Sequence, residues 1–154
     1  MNKDTNFRFA LVLTMLFFSL QMNAISYIFK GNGRLLSDIM YTWDGKHLYY
    51  GMGTNEMDMF CTFNGKELYC DNHSITPNNV IITWDGHNIY RGKSTDEKDI
   101  LYYWSDSTLW WKANGEAVMT YYAPEVYKPN DKIIGHNIYT VSGDIPIPVL
   151  AFIM

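Results

Sequence analysis

Asp38-Ile39-Met40-Tyr41-Thr42-Trp43-Asp44-Gly45-Lys46-His47-Leu48-Tyr49 is the stretch whose reading decides the fold. Two alternating runs rich in aromatic and β-branched residues flank Asp44-Gly45, a dipeptide that tolerates the positive φ of a tight turn, so the stretch reads as a β-hairpin. The pattern returns as Asp58-Met59-Phe60-Cys61-Thr62-Phe63-Asn64-Gly65-Lys66-Glu67-Leu68-Tyr69 and again as Asn79-Val80-Ile81-Ile82-Thr83-Trp84-Asp85-Gly86-His87-Asn88-Ile89-Tyr90. A looser copy is Asp99-Ile100-Leu101-Tyr102-Tyr103-Trp104-Ser105-Asp106-Ser107-Thr108-Leu109-Trp110. Further on, Val126-Tyr127 keeps the aliphatic-aromatic pair, and Gly135-His136-Asn137-Ile138-Tyr139 repeats Gly86-His87-Asn88-Ile89-Tyr90 letter for letter. A unit of about twenty residues copied along the chain predicts a repeat architecture.

The first copy is incomplete. Gly31 precedes Asp38 by seven positions, as Gly51 precedes Asp58 and Gly92 precedes Asp99, so Ile28-Phe29-Lys30-Gly31 matches the second strand of a unit whose first strand is missing. A C-terminal strand around Ile147 to Phe152 is the expected partner, and its pairing with the N-terminal strand would remove the exposed sheet edges. The expected fold is all-β: tandem antiparallel hairpins in a single domain, closed or folded back on itself as a barrel, a trefoil-like or a propeller-like body, with an open solenoid as the unclosed variant.

Strand alternation assigns two faces. Tyr41, Trp43, Leu48 and Tyr50, with Cys61, Phe63, Leu68 and Cys70 and their later equivalents, form the core face. The opposite face carries Met40, Thr42, His47 and Tyr49, then Phe60, Thr62, Glu67 and Tyr69, and the corresponding residues of later copies, with Thr facing Tyr across three hairpins. Tyr49, Tyr69, Tyr90 and Trp110 thus recur on this second face as a ladder of rings. Such a ladder can stack on the sugars of a glycan or on a partner protein; equally, the rings can fill a second packed layer.

Cys61 and Cys70 flank the Asn64-Gly65 turn, and register decides whether they bridge. If Phe63 pairs with Leu68, the two cysteines stand opposite, with Cα atoms about 4.5–5.5 Å apart, and a disulfide is expected. A two-residue Asn64-Gly65 loop would put them on a diagonal, leaving two thiols that act as small hydrophobes.

Composition and the N-terminus bear on location. Lys3 and Arg8 precede a mostly apolar run from Phe9 to Leu20, followed by Ala24, which is the pattern of a secretory signal; residues 1–24 are the expected leader and residues 25–154 the repeat domain. Twelve apolar positions fall short of the about 20 needed to span a bilayer, and no span is expected once the leader is removed. The protein is therefore expected to be exported, to the periplasm, the cell surface or the medium. Without Lys3, Asp4 and Arg8 the chain has 10 basic against 15 acidic residues. That balance argues against nucleic acid as a partner, which needs a clustered basic surface.

No catalytic constellation stands out. His47, His73, His87 and His136 lack zinc-ligand spacing, the acidic residues do not form a dense calcium loop, and neither a phosphate-cradling loop nor a nucleophile elbow occurs. No metal and no cofactor are expected. The copies, together with Ile89-Tyr90-Arg91-Gly92-Lys93-Ser94-Thr95 and the tail Ile145-Pro146-Ile147-Pro148-Val149-Leu150, resemble uncharacterised exported bacterial proteins with tandem hairpins of the form D-I-x-Y-T-x-D-G-x-x-I-Y-x-G. They are more distantly similar to choline-binding cell-wall repeats, whose opening Gly-Trp is absent here. The resemblance implies an exported repeat protein and no particular activity. The residues point to a non-enzymatic binding or structural module with a glycan or envelope protein as ligand; the alternative is a cell-envelope hydrolase with a carboxylate-based site.

Overall fold

The structure, a computed structural model, describes residues 24–70, 76, 78–129, 131 and 133–154. The expected leader lies outside the described residues except for Ala24. Strand β1 (Ser26–Lys30) is followed by five hairpins: β2 (Ile39–Trp43) with β3 (His47–Tyr50), β4 (Met59–Phe63) with β5 (Glu67–Tyr69), β6 (Val80–Trp84) with β7 (Asn88–Arg91), β8 (Ile100–Ser105) with β9 (Thr108–Trp111), and β10 (Ala117–Tyr122) with β11 (Glu125–Tyr127). Strand β12 (Tyr139–Ser142) comes next, then helix α1 (Ile147–Phe152). Every neighbouring pair is antiparallel and the sheet closes into a barrel through β1 and β12, in the register Ile28↔Val141 and Phe29↔Thr140. The two ends of the chain together build a sixth hairpin, and the trefoil, propeller and solenoid alternatives are set aside.

Closure is thus as expected, but the closing strand is not. Tyr139–Ser142 supplies it, while the tail expected to be a strand at Ile147–Phe152 is helical. The reason is geometric. A barrel of about eight strands is filled by its own wall side chains, and one of twelve is wider, so something must occupy its middle. Inside a closed barrel no strand edge is free, and a buried segment has to satisfy its own backbone, which a helix does. Val149 and Leu150 N–H groups donate to Pro146 O at 3.0 and 3.2 Å. Val149, Leu150 and Ile145 belong to one buried cluster with Ile28, Trp43, Leu48, Phe63, Leu68, Ile82, Ile89 and Leu109, contributed from around the wall. The helix enters beside the Ser142-Gly143 corner, and its last ring, Phe152, reaches Phe60 at the opposite mouth, with centroids 5.2 Å apart.

The turns repeat in atomic detail. Beyond Trp43↔Leu48, Phe63↔Leu68 and Trp84↔Ile89 the Asp44, Asn64 and Asp85 N–H groups donate to the His47, Glu67 and Asn88 carbonyls at 3.2, 3.1 and 3.2 Å, so each loop is the Gly and the residue after it, with Gly45, Gly65 and Gly86 at φ +95, +94 and +100. The residue before the Gly holds the loop: Asp44 Oδ1 accepts the Lys46 and His47 N–H groups at 2.8 and 2.6 Å, Asn64 Oδ1 those of Lys66 and Glu67 at 2.9 and 2.6 Å, and Asp85 Oδ1 those of His87 and Asn88 at 2.8 and 2.6 Å. In the fourth hairpin, which has no glycine there, Asp106 and Ser107 both take positive φ.

Between hairpins the register shifts at matching places, beside Met40, Phe60, Ile81, Leu101 and Val118. Each of these is the extra residue of a β-bulge, and a bulge turns its two residues toward one side. Phe60, Ile81 and Leu101, expected on the outer face, therefore pack against the core. Thr faces Tyr across the hairpins as expected, in Thr42↔Tyr49, Thr62↔Tyr69 and Thr83↔Tyr90, and again in Thr120↔Tyr127. These threonines are buried, and at two of them the following connection folds back to the outer wall. Thr42, Thr83 and Thr140 hydroxyls donate to the Gly51, Gly92 and Gly31 carbonyls, each at 2.7 Å.

Candidate functional site

The barrel has two unlike ends. Hairpin turns crowd one, and the longer connections between hairpins crowd the other.

At the turn end the predicted ladder finds its place. Tyr49, Tyr69 and Tyr90 are 7%, 5% and 7% exposed, and Trp110 is half-buried, stacked on Tyr103 with centroids 6.3 Å apart. The three tyrosine rings pack into the outer wall and do not present faces to solvent, whereas Trp110 keeps part of its indole exposed. Their polar ends brace the turns: Tyr49 and Tyr90 hydroxyls donate to Asp44 and Asp85 Oδ2 at 2.9 and 2.6 Å, and the Tyr127 hydroxyl to Glu125 Oε2 at 2.5 Å. Burial and the carboxylate hydrogen bond push the Tyr49 hydroxyl up to about 12. For Asp44 burial works to raise the carboxyl, but the hydrogen bonds from His47, Lys46 and Tyr49 outweigh it and hold it below the ordinary range; Asp85 is lowered by the same balance.

His47, Asp44 and Tyr49 have the residue types of a proton relay, with His47 Nδ1 2.9 Å from Asp44 Oδ2. The third hairpin shows what the arrangement is, since Asn88 Nδ2 donates to Asp85 Oδ2 at 3.1 Å from the same position. An amide replaces the imidazole and the network persists, so it is a turn brace. Among the described residues no group of His, Cys, Asp and Glu is placed to hold a metal ion; His73 lies outside them.

The disulfide expected between Cys61 and Cys70 is not formed, and both residues are thiols. The register is the favourable one, but pairing ends at Thr62↔Tyr69. Cys70 is exposed beyond the end of β5, so the ladder does not hold it opposite Cys61. Burial pushes the Cys61 thiol up to about 12, which makes it inert.

What the turn end does offer is a set of clefts between adjacent hairpins. The inward residue just before each turn donates its N–H to the preceding turn: Phe63 to Lys46 O at 2.8 Å, Trp84 to Lys66 O at 2.7 Å and Trp104 to His87 O at 2.8 Å. Side chains at this step of the repeat line the gap between one turn and the next. One cleft, of 500 Å³, is bounded by Trp84, Asp85 and Gly86 on one hairpin and Gly65 and Lys66 on its neighbour. A second, of 320 Å³, lies at the equivalent place, with Trp43 and Gly45 facing Gly143 and Asp144 of the sixth hairpin. Gly65 and Gly86 have open space where a Cβ would stand, which leaves the larger cleft accessible. Trp84 and Trp104 are half-buried, whereas Trp43 is nearly covered. Alternation put these indoles in the core, where Trp43 stays; the position of Trp84 and Trp104 directly before the turn was the signal that their edges reach the mouth.

A closed repeat barrel with braced turns, indole-lined gaps between them and an internal plug is an all-β scaffold of the binding or structural kind. The chain belongs to the 6-fold beta flower protein family, whose model matches residues 28–150. The six hairpins around the barrel agree with that description. No curated protein and no solved structure matches the chain. Among the described residues no helix is long and apolar enough to cross a membrane.

Proposed function

We propose that the protein is a non-enzymatic exported binding module of the cell envelope or exterior, and that its ligand is a glycan held in the clefts between adjacent hairpin turns. The observation that carries this reading is the 500 Å³ cleft in which the half-buried Trp84 indole lies against Lys66 of the neighbouring hairpin, with a smaller cleft at the equivalent step beside Gly45 and Asp144. An indole offers an apolar surface to the C–H face of a sugar, and Lys66 in one cleft and Asp144 in the other offer polar partners to its hydroxyls. Shallow sites repeated around one rigid scaffold suit a polymer with repeating units, because each weak contact raises the effective concentration for the next. The carboxylates that the fold shifts, Asp44 and Asp85, move toward lower pKa as turn braces, the opposite of what a general acid in a hydrolase needs.

A glycan array with the barrel, followed by titration of the best glycan against Trp84→Ala, tests the reading. Binding that falls at least tenfold in Trp84→Ala while Tyr122→Ala binds as before supports it. An array without hits, or a Trp84→Ala protein that binds normally, removes glycan recognition at this cleft.

A further inference from the structure

The connection end has a character of its own. Of the twelve large hydrophobic side chains exposed among the described residues, ten lie there, and the turn end has only Ile25 and Tyr122. Six of the ten stand on three connections that are neighbours around the barrel: Ile133 and Ile134 between β11 and β12, Leu35 and Leu36 between β1 and β2, and Met52 and Met57 between β3 and β4. Met57 and Ile134 are each 91% exposed and Leu35 and Leu36 nearly 70%. Met57 and Ile134 thus protrude with almost no part resting on the protein, and the other four stand mostly clear of it.

We infer that this end of the barrel docks on a lipid bilayer, with the apolar tips of the three connections entering the interface. Three separate convex tips do not match a groove or a flat protein patch, whereas a bilayer deforms around each of them. Tyr50 and Trp111, exposed on the inward register of the same mouth, are the residue types that settle at the level of lipid headgroups. Charge orients the molecule in the same sense. The turn end carries Asp44, Glu67, Asp85, Asp106, Glu125 and Asp144 against Lys46 and Lys66, so an anionic membrane repels it. Lys30, Arg34 and Lys128 are exposed beside the apolar tips and face the headgroups. Among the described residues that arc also carries Asp38, Glu56, Asp58 and Asp131, so it is close to neutral where the turn end has six carboxylates against two lysines; Asp38 accepts the Leu35 N–H at 3.1 Å and Asp131 the Ile133 N–H at 3.2 Å. Among the described residues, the connection between β7 and β8, with Lys93, Asp96, Glu97 and Lys98, has no such tip.

The experiment uses the chain from Ile25 onward, which contains every strand of the barrel and the whole of its core cluster and omits the apolar run of the leader. Co-sedimentation with vesicles of phosphatidylcholine and phosphatidylglycerol is expected to show binding that falls at least tenfold in the triple variant Leu36→Ser, Met57→Ser, Ile134→Ser. Those side chains touch little, so the variant melts with the wild type, and Tyr122→Ser at the other end still binds. Wild-type barrel left in the supernatant overturns the inference, and so does a triple variant that binds as well as wild type. Concentration-dependent self-association that the triple variant abolishes, with no vesicle binding, overturns it in favour of a second copy as occupant. Loss of glycan binding through Trp84→Ala leaves this result untouched, because the two sites lie at opposite ends.

Discussion

The helical plug gives the sharpest test of the fold. Leu150 is 1% exposed and shares the central cluster with side chains from around the wall, so Leu150→Ala removes a side chain from a space that no other group can easily fill. Truncations of this kind cost 2–5 kcal/mol, the larger values where the surroundings do not collapse, and a rigid closed wall collapses poorly; about 3 kcal/mol is the expected loss. For a domain of about 130 residues the unfolding entropy at the midpoint is about 0.27 kcal/mol/K, so the melting temperature should drop by about 11 °C. Thermal unfolding followed by circular dichroism, with urea titration for the free energy, measures both. Met57→Ala is the control: its side chain is 91% exposed and should change stability by less than about 0.5 kcal/mol. A Leu150→Ala protein that loses under 1 kcal/mol would show that the tail does not fill the barrel, and the packing argument would go with it.

Other expectations concern the turns and the thiols. Gly143 has φ +88 and a Cβ there would strike Ser26, so Gly143→Ala should destabilise by more than Gly65→Ala, where φ is +94 but the space is open and the cost is about 1 kcal/mol; paired urea curves decide. Ser107→Gly should stabilise by about 0.5–1 kcal/mol, because Ser107 holds φ +61 in a loop that favours glycine; a lower urea midpoint would contradict the turn assignment. The Asp44 and Asp85 carboxyls have folded pKa values below the ordinary 3.8, so their stabilisation is present above that pH and is lost as pH falls through the folded values. Tyr49 is raised, so its contribution is present below pH 10 and is lost as pH rises through about 12. Asp85→Asn should flatten the acid limb of a urea-midpoint profile, and an unchanged limb would show that its hydrogen bonds do not discriminate the charged form. Finally, one thiol, Cys70, should react with Ellman's reagent in the native protein, and Cys61 only after denaturant is added.

The hairpins were legible because Asp44-Gly45, Asn64-Gly65 and Asp85-Gly86 are local signals whose chemistry is complete within a few residues. The half-unit at Ile28 made closure legible too, since it has to find a partner. Three features were not. The bulges beside Phe60, Ile81 and Leu101 come from the pairing of one hairpin with the next, and strict alternation within a strand cannot register an extra residue. The helix at Ile147–Phe152 depends on the barrel being wide enough to need a plug, which follows from the number of strands and from no property of the tail itself. The strand pattern left open whether Tyr49, Tyr69 and Tyr90 meet a ligand or fill a second packed layer; burial of Tyr49 and Tyr90 depends on the chain at Gly51 and Gly92 returning to Thr42 and Thr83, which alternation within a strand does not report. The indoles at the turn end were visible as repeat equivalents, but whether their edges reached solvent was a matter of neighbouring turns.

The sixth hairpin has a consequence for the order of events in folding. Ile28 finds Val141 across almost the whole chain, while every other hairpin partner is a few residues away. During synthesis the five local hairpins can form as each emerges, but the ring stays unlatched until the stretch from Tyr139 onward is available, and that same stretch brings the plug. Latch and plug therefore arrive together, and a chain that stops short of them lacks both at once.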